Sequence, residues 1–359
     1  MLDIPKIRAV LDEASRWDMD LEQFACWGHA HLLNPVLPLE DLAAWEELTQ
    51  VTLPEDYRAY LTRLGNGGAG PAYGLYPLSL PRDEFAQYLR RPCIYSDGQE
   101  EKYQDVIQRF VHWYGLDDDW ALYREYFPDT PAWKDDVWSD AHWREWSDEL
   151  ERVLDEKVVF PLLYYGQHMI TNEGCSGDIR IILNGSHRGY VHCATADCDA
   201  GLAFREPRTF ATYKEDYLKR TFADYFMEYV NRTEDVCKNL SAEKRQKFQR
   251  ERAQARDFIA AVQAQDWSGV VKLLNAIEDP AELSTKSKSL YIHYDENHLL
   301  RPLSTNPDVK RFYDRLYGRH GRNYGNWVTW VRCYDPANTR IAPYPRPTFE
   351  AFAQTFFDP

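Results

Sequence analysis

Several groups of residues in this chain are of types that do chemistry, and their spacing limits what each can do. Gly65-x-Gly67-x-x-Gly70 matches the dinucleotide fingerprint letter for letter. That fingerprint works only after a strand and before a helix, whose N-terminus receives the pyrophosphate. Here a helical pattern comes first and Pro71 follows, so Gly65, Gly67, Gly68 and Gly70 are expected to shape a turn through positive φ angles. Cys193 and Cys198, with His192 adjacent, lack the paired short spacings of a structural zinc site. His293 and His298 flank Asp295 and Glu296, but five residues apart they do not share a helix face. Cys175-Ser176 sits in a glycine turn with no G-x-S-x-G elbow and no assignable base. No catalytic residue, metal or cofactor is therefore expected.

A different pattern runs from Asp97 to Glu156. It holds 18 acids against 6 bases, a net of −12, and six of the chain's twelve tryptophans. Paired carboxylates beside aromatic platforms are the equipment of a glycosidase. They also suit a protein-binding face, with Trp as anchor and acids steering a basic partner. The plainest alternative is solvated helices whose tryptophans pack inward. If the segment binds a partner, the contacts are expected at Asp117, Asp118, Asp119 and Trp120 and at Asp135, Asp136 and Trp138.

The charge of the whole chain favours the second reading. Formal net charge is −15 over 359 residues, but it is uneven. Residues 1–240 carry 24 Lys/Arg against 43 Asp/Glu, or −19; residues 241–359 carry 18 against 14, or +4. Such a field repels nucleic acid and anionic membrane and attracts basic proteins. The basic run Lys244–Arg256 reads as a solvated helix face or as the partner of an acidic neighbour within the chain. Seven thinly spread cysteines make no disulfide framework, and no apolar run spans a bilayer. A soluble cytoplasmic protein with reduced thiols is expected.

The elements that must carry these residues follow from periodicity. Ile4, Ile7, Val10, Leu11 and Ala14 recur at helical spacing, as do Leu42, Trp45 and Leu48. Thr52-Leu53-Pro54-Glu55 opens a helix whose inward face is Tyr57, Tyr60, Leu61 and Leu64, with a short strand expected at Leu75–Leu78. After Glu156 the period changes to two, beginning with the apolar run Val158–Tyr165. Ile179–Leu183, the turn Asn184–Gly189 and Tyr190–Cys193 predict a hairpin. Another strand is expected at Gly201–Arg205, then a long helix capped by Thr209 with Phe210, Tyr213, Tyr217, Phe222, Phe226 and Tyr229 inward. A helical pair is expected at Phe258–Val262 and Trp267–Leu274, a strand at Trp327–Cys333 and a closing helix at Phe349–Phe357.

Two segments carry a family resemblance. Leu53–Leu61, followed by Gly65-Asn66-Gly67-Gly68-Ala69-Gly70-Pro71-Ala72-Tyr73-Gly74-Leu75-Tyr76-Pro77-Leu78, resembles the opening of the SUKH superfamily, which holds the SMI/KNR cell-wall assembly regulators and many bacterial toxin-immunity proteins. Gly174–Asp178 with Ile181–Gly185 and Arg188–Val191 resembles its second block. The resemblance covers residues 35–235 and implies an α+β fold, a mostly antiparallel sheet with helices packed on it, and no enzymatic activity. It also implies binding and neutralising a cognate toxin, often directed at nucleic acid. The chain is thus expected to have a SUKH-like domain over 1–240, interrupted by the acidic Trp-rich insertion 97–156, and a helix-rich extension over 241–359. A regulatory scaffold for an endogenous protein and a carbohydrate-active enzyme are the alternatives.

Overall fold

A computed structural model describes residues 2–23, 25–81, 83–115, 152–172, 178–194, 218–318 and 349–357, with residues 148, 211, 214 and 215 between them. The chain folds into two compact units. The first comprises Met1–Leu37, Tyr60–Leu78 and Phe226–Pro359; the second comprises Pro38–Ala59 and Ser79–Tyr225. The chain-order boundary expected near residue 240 falls inside the first unit.

In the first unit the predicted apolar stripe forms α1 (Ile4–Trp17), burying Ile4, Ile7, Val10, Leu11 and Ala14. Asp3 caps it by accepting the Lys6 N–H at 3.1 Å. The expected helical pair is present as α8 (Ala242–Gln263) and α9 (Trp267–Asn275), followed by α10 (Thr285–Glu296), α11 (Pro307–Tyr317) and α12 (Phe349–Gln354). Their core is aromatic. Phe258 meets Tyr291 and Tyr294 edge-on at 4.9 and 5.1 Å, and Tyr291 meets Phe312 at 5.3 Å. Such edge contacts add to area burial because ring edges are positive and faces negative.

The second unit carries α2 (Leu39–Thr49), α4 (Asp83–Leu89), α5 (Glu100–Gly115) and a four-stranded antiparallel sheet. Its strands are β1 (Gln167–Asn172), β2 (Asp178–Ile182), β3 (Tyr190–Ala194) and β4 (Arg220–Thr221), hydrogen-bonded in chain order. The predicted hairpin is present: Ile179 faces Cys193, Ile181 faces Val191, and Gly189 N–H closes the turn on Ile182 at 2.8 Å. β2 lies between two strands and buries Ile179, Arg180, Ile181 and Ile182, which is why its apolar run is nearly continuous. The chain is therefore mixed α and β with an antiparallel sheet. Helices α3 (Glu55–Arg63) and α7 (Phe222–Lys238) each give residues to both units.

Three expectations change. Val158–Tyr165 is helical rather than extended: a π-helix at Asp155–Val159 runs into α6 (Phe160–Leu163). A short apolar run does not distinguish a strand from a buried helix, and Pro161, which has no N–H to give, falls directly after the π-helical turn. Of Leu75–Leu78 only Leu75 is bridged, to Gly68. The helix of Phe226 and Tyr229 begins at Phe222, where Thr221 and Asp224 cap each other: Thr221 N–H donates to Asp224 Oδ2 (3.1 Å) and Asp224 N–H to Thr221 Oγ1 (3.2 Å). Thr209, Gly201–Arg205 and Trp327–Cys333 lie outside the described residues.

Candidate functional site

The densest gathering of buried reactive side chains among the described residues lies at the end of α1, in the first unit. Asp18 is the C-cap of that helix, its N–H bonded to Ala14 O at 2.9 Å. Its side chain is folded back over the following loop, where Oδ1 accepts the Glu22 N–H at 3.2 Å. The loop then runs through Leu21, Ala25, Ala30 and His31, all with positive φ (53°, 59°, 47° and 63°), around the 3₁₀ turn Cys26–Gly28. Left-handed non-glycine residues are sparse in proteins and each costs on the order of 1 kcal/mol, so the surroundings must hold this loop in place.

They do so with a buried polar chain. Asp18, Cys26, His29, His31 and Tyr229 are all buried. His31 Nε2 donates to Asp18 Oδ2 at 2.8 Å, and its Nδ1 lies 2.9 Å from the Tyr229 hydroxyl. His29 Nδ1 accepts the His31 backbone N–H at 3.0 Å. Tyr229 reaches the site from α7, where Phe226 packs on it at 5.9 Å and meets Tyr60 at 5.0 Å. Donor atoms of Asp18, Cys26 and His31 all lie within 4.8 Å of one another.

Burial and charge set the protonation of this cluster. Burial works to raise Asp18, but the hydrogen bond and charge of His31 bring its carboxyl below the usual range. Burial, reinforced by the Asp18 carboxylate, pushes the Cys26 thiol well above its usual value. Burial, with His31 adding to it, takes His29 down to about 3, so this imidazole is neutral. The site stores one carboxylate and a protonated thiol, an arrangement that does not activate a nucleophile.

Close by, α10 sends in the buried Lys286. Its ammonium donates to Ser15 O and to Thr355 Oγ1 (2.8 Å) and lies 5.7 Å from the Phe352 and Phe356 rings. Burial depresses it to about 7, Arg252 adding to the effect while Asp18 and Cys26 oppose it. A lysine near pKa 10.4 in the unfolded chain then binds a proton over a range where the folded one does not. Stability contributed through Lys286 therefore rises between about pH 7 and 10, by at most about 1.4 kcal/mol per pH unit. Urea unfolding followed at several pH values is expected to show this rise in the native chain and a flatter profile in Lys286→Met. Equal slopes in the two proteins would refute the assignment.

The residues singled out by sequence are placed differently. Gly68 is bridged to both Leu33 and Leu75, and Gly67 and Gly68 take φ of 85° and 94°. The positive φ expected of the four glycines is found at Gly67 and Gly68 but not at Gly65 or Gly70. The basic helix is spent within the unit: Lys244 pairs with Glu22 (2.7 Å) and Asp20 (3.3 Å), Lys247 pairs with the buried Glu251 (3.7 Å), and Arg245 and Arg252 lie over Trp17. Glu251 in turn accepts from Ser284 and Ser287. His293 stacks on Phe349 at 3.4 Å and Asp295 accepts the Tyr317 hydroxyl at 2.8 Å, so neither is directed at a common centre. In the second unit His192 on β3 donates to Gln167 Oε1 at 2.9 Å and Cys193 is half-buried. The expected contact residues Asp117, Asp118, Asp119, Trp120, Asp135, Asp136 and Trp138 lie outside the described residues, as do Cys175, Ser176 and Cys198.

The cluster around Asp18 escapes the spacing rules used above. Cys26, His29 and His31 fall within six residues, which is a local signal; their partners Asp18, Tyr229 and Lys286 are not recognisable from spacing.

The described fold defines a class no narrower than a mixed α and β protein with an antiparallel sheet. No protein-family model, curated protein or solved structure matches the chain. In the described residues no helix is long and apolar enough to cross a membrane.

Proposed function

We propose that this chain is a non-enzymatic immunity protein of SUKH type, which binds a basic toxin domain directed at nucleic acid and holds it inactive. The observation that carries the reading is the −19 net charge of residues 1–240. Within the described part of that region Glu40, Asp41, Glu47, Glu100, Glu101 and Asp105 are exposed on α2 and α5 of the second unit. Acids held outward on rigid helices steer a basic partner and speed its association. The helix over Glu55–Arg63, the glycine turn after it and the β2–β3 hairpin support the SUKH part of the reading, since these are the elements that the two resembling segments imply. The Asp/Trp clusters at 117–120 and 135–138 supply anchors of the kind that dominate binding energy.

The test is the affinity for a toxin encoded beside this gene, measured by calorimetry or surface plasmon resonance at rising salt. Between about 0.05 and 0.5 M salt the dissociation constant is expected to weaken about tenfold or more, mainly through the association rate. Asp117→Asn, Asp118→Asn and Asp119→Asn together are expected to reduce that salt dependence. A complex indifferent to salt would remove the electrostatic part of the proposal, and absence of any complex would remove it all.

A further inference from the structure

We propose that Asp18, Cys26 and His31 are protein ligands of a zinc ion that locks the loop after α1. Three independent features converge on this. The first is the donor set. A thiol, an imidazole and a carboxylate with donor atoms mutually within 4.8 Å supply three of the four ligands of a zinc tetrahedron, in the mixed sulfur, nitrogen and oxygen set that zinc accepts, with water as the fourth. In such a site nitrogen and oxygen ligands stand roughly 3.3 Å apart and sulfur roughly 3.5 Å from either. His31 Nε2 and Asp18 Oδ2, now 2.8 Å apart across a hydrogen bond, need to part by only a few tenths of an ångström. The metal then takes the place of the proton between them.

The second feature is charge. Asp18 caps the C-terminal end of α1, where the helix dipole is negative, so a carboxylate there meets the wrong end of the dipole. Binding zinc releases the Cys26 thiol proton to solvent, and the resulting thiolate and the Asp18 carboxylate together balance the double positive charge. The zinc and its ligands are then neutral as a group, and the cation faces the negative helix end. The third feature is the outer shell. When Nε2 binds metal, the ring proton resides on Nδ1, and the Tyr229 hydroxyl 2.9 Å away is placed to accept it. Metal-binding histidines are oriented in this way by the hydrogen bond of the other nitrogen. The three ligands and Tyr229 are all buried, so the ion is held in the interior of the first unit.

The inference does not depend on the toxin partner and is tested without it. The full chain, produced with added zinc and purified without chelator, is expected to hold about one zinc per chain by mass spectrometry of the digested protein. X-ray absorption should show a single sulfur near about 2.3 Å and nitrogen or oxygen near about 2.0 Å. Cobalt substitution should produce a thiolate charge-transfer band in the near ultraviolet. Cys26→Ala is expected to lower metal content about tenfold or more, whereas Cys237→Ala, a buried thiol outside the cluster, should leave it unchanged. Zinc below about 0.1 per chain in folded protein would overturn the proposal, as would metal retained in full by a folded Cys26→Ala. Should Cys26→Ala fail to fold, the absorption spectrum of the native chain decides alone: a shell with no sulfur, or with more than one, overturns it.

Discussion

Replacing Asp18 by alanine in the metal-free chain is expected to destabilise it by about 2–4 kcal/mol, the cost of leaving two donors inside the protein without an acceptor. The loss has identifiable parts. His31 Nε2 and the Glu22 N–H both lose their acceptor. The imidazole then sits buried with one nitrogen unsatisfied, and desolvated polar groups left without partners cost about 1–3 kcal/mol each. The positive-φ residues Leu21, Ala25, Ala30 and His31 lose the anchor that keeps their loop in place. Chemical denaturation of Asp18→Ala, His31→Ala and the double variant separates these parts. The coupling between the two positions should be favourable and above about 1 kcal/mol; strict additivity would show that the 2.8 Å contact contributes nothing net.

The second large effect is expected at Gly67. A Cβ there would lie 2.7 Å from Leu75 O and 2.8 Å from Pro77 N, both backbone atoms with no freedom to rotate away. The residue also sits at φ 85°, where an L side chain is strained regardless of space. Gly67→Ala is expected to lose about 2–4 kcal/mol, the sum of backbone strain and displaced turn. Partner recognition by the protein that remains folded should be unaltered, because the glycines set backbone geometry. A Gly67→Ala variant of native stability that had lost only partner affinity would contradict this. Gly98, at φ 82° with nothing within 4 Å of its would-be Cβ, is the control: Gly98→Ala should cost about 1 kcal/mol from backbone strain alone.

Much of the secondary structure was legible because it rests on local rules. The stripe Ile4, Ile7, Val10, Leu11, Ala14 buries one face of a helix, and its members are those buried in α1. The turn Asn184–Gly189 joins the isoleucine-rich run Ile179–Leu183 to Tyr190–Cys193 and makes the β2–β3 hairpin. The reversed order of helix and strand around Gly65–Gly70 excluded a dinucleotide loop and assigned a turn, with positive φ at Gly67 and Gly68. The start of α7 at Phe222 departs from the expected Thr209 cap for an equally local reason. Thr221-Phe222-Ala223-Asp224 is a capping signature, but an aromatic spacing continuing upstream to Phe210 and Tyr213 masked it.

Periodicity, caps and turn residues are properties of short stretches, so α1, α3, the hairpin, the glycine turn and the acidic bias of residues 1–240 could be read from the residues alone, whereas α10 and α11 could not. The buried site depended on the tertiary structure. His31 meets Asp18 across 13 residues and Tyr229 across 198, while Lys286 reaches Ser15 across 271. In one dimension Lys286 reads as an ordinary solvated lysine on a polar helix, and Asp18 as one acid among many. Only when α1, α7 and α10 enclose them does water withdraw, and with it the screening that had kept each charge independent. A loop of left-handed residues has no periodicity to announce it, because its shape is imposed by the surroundings.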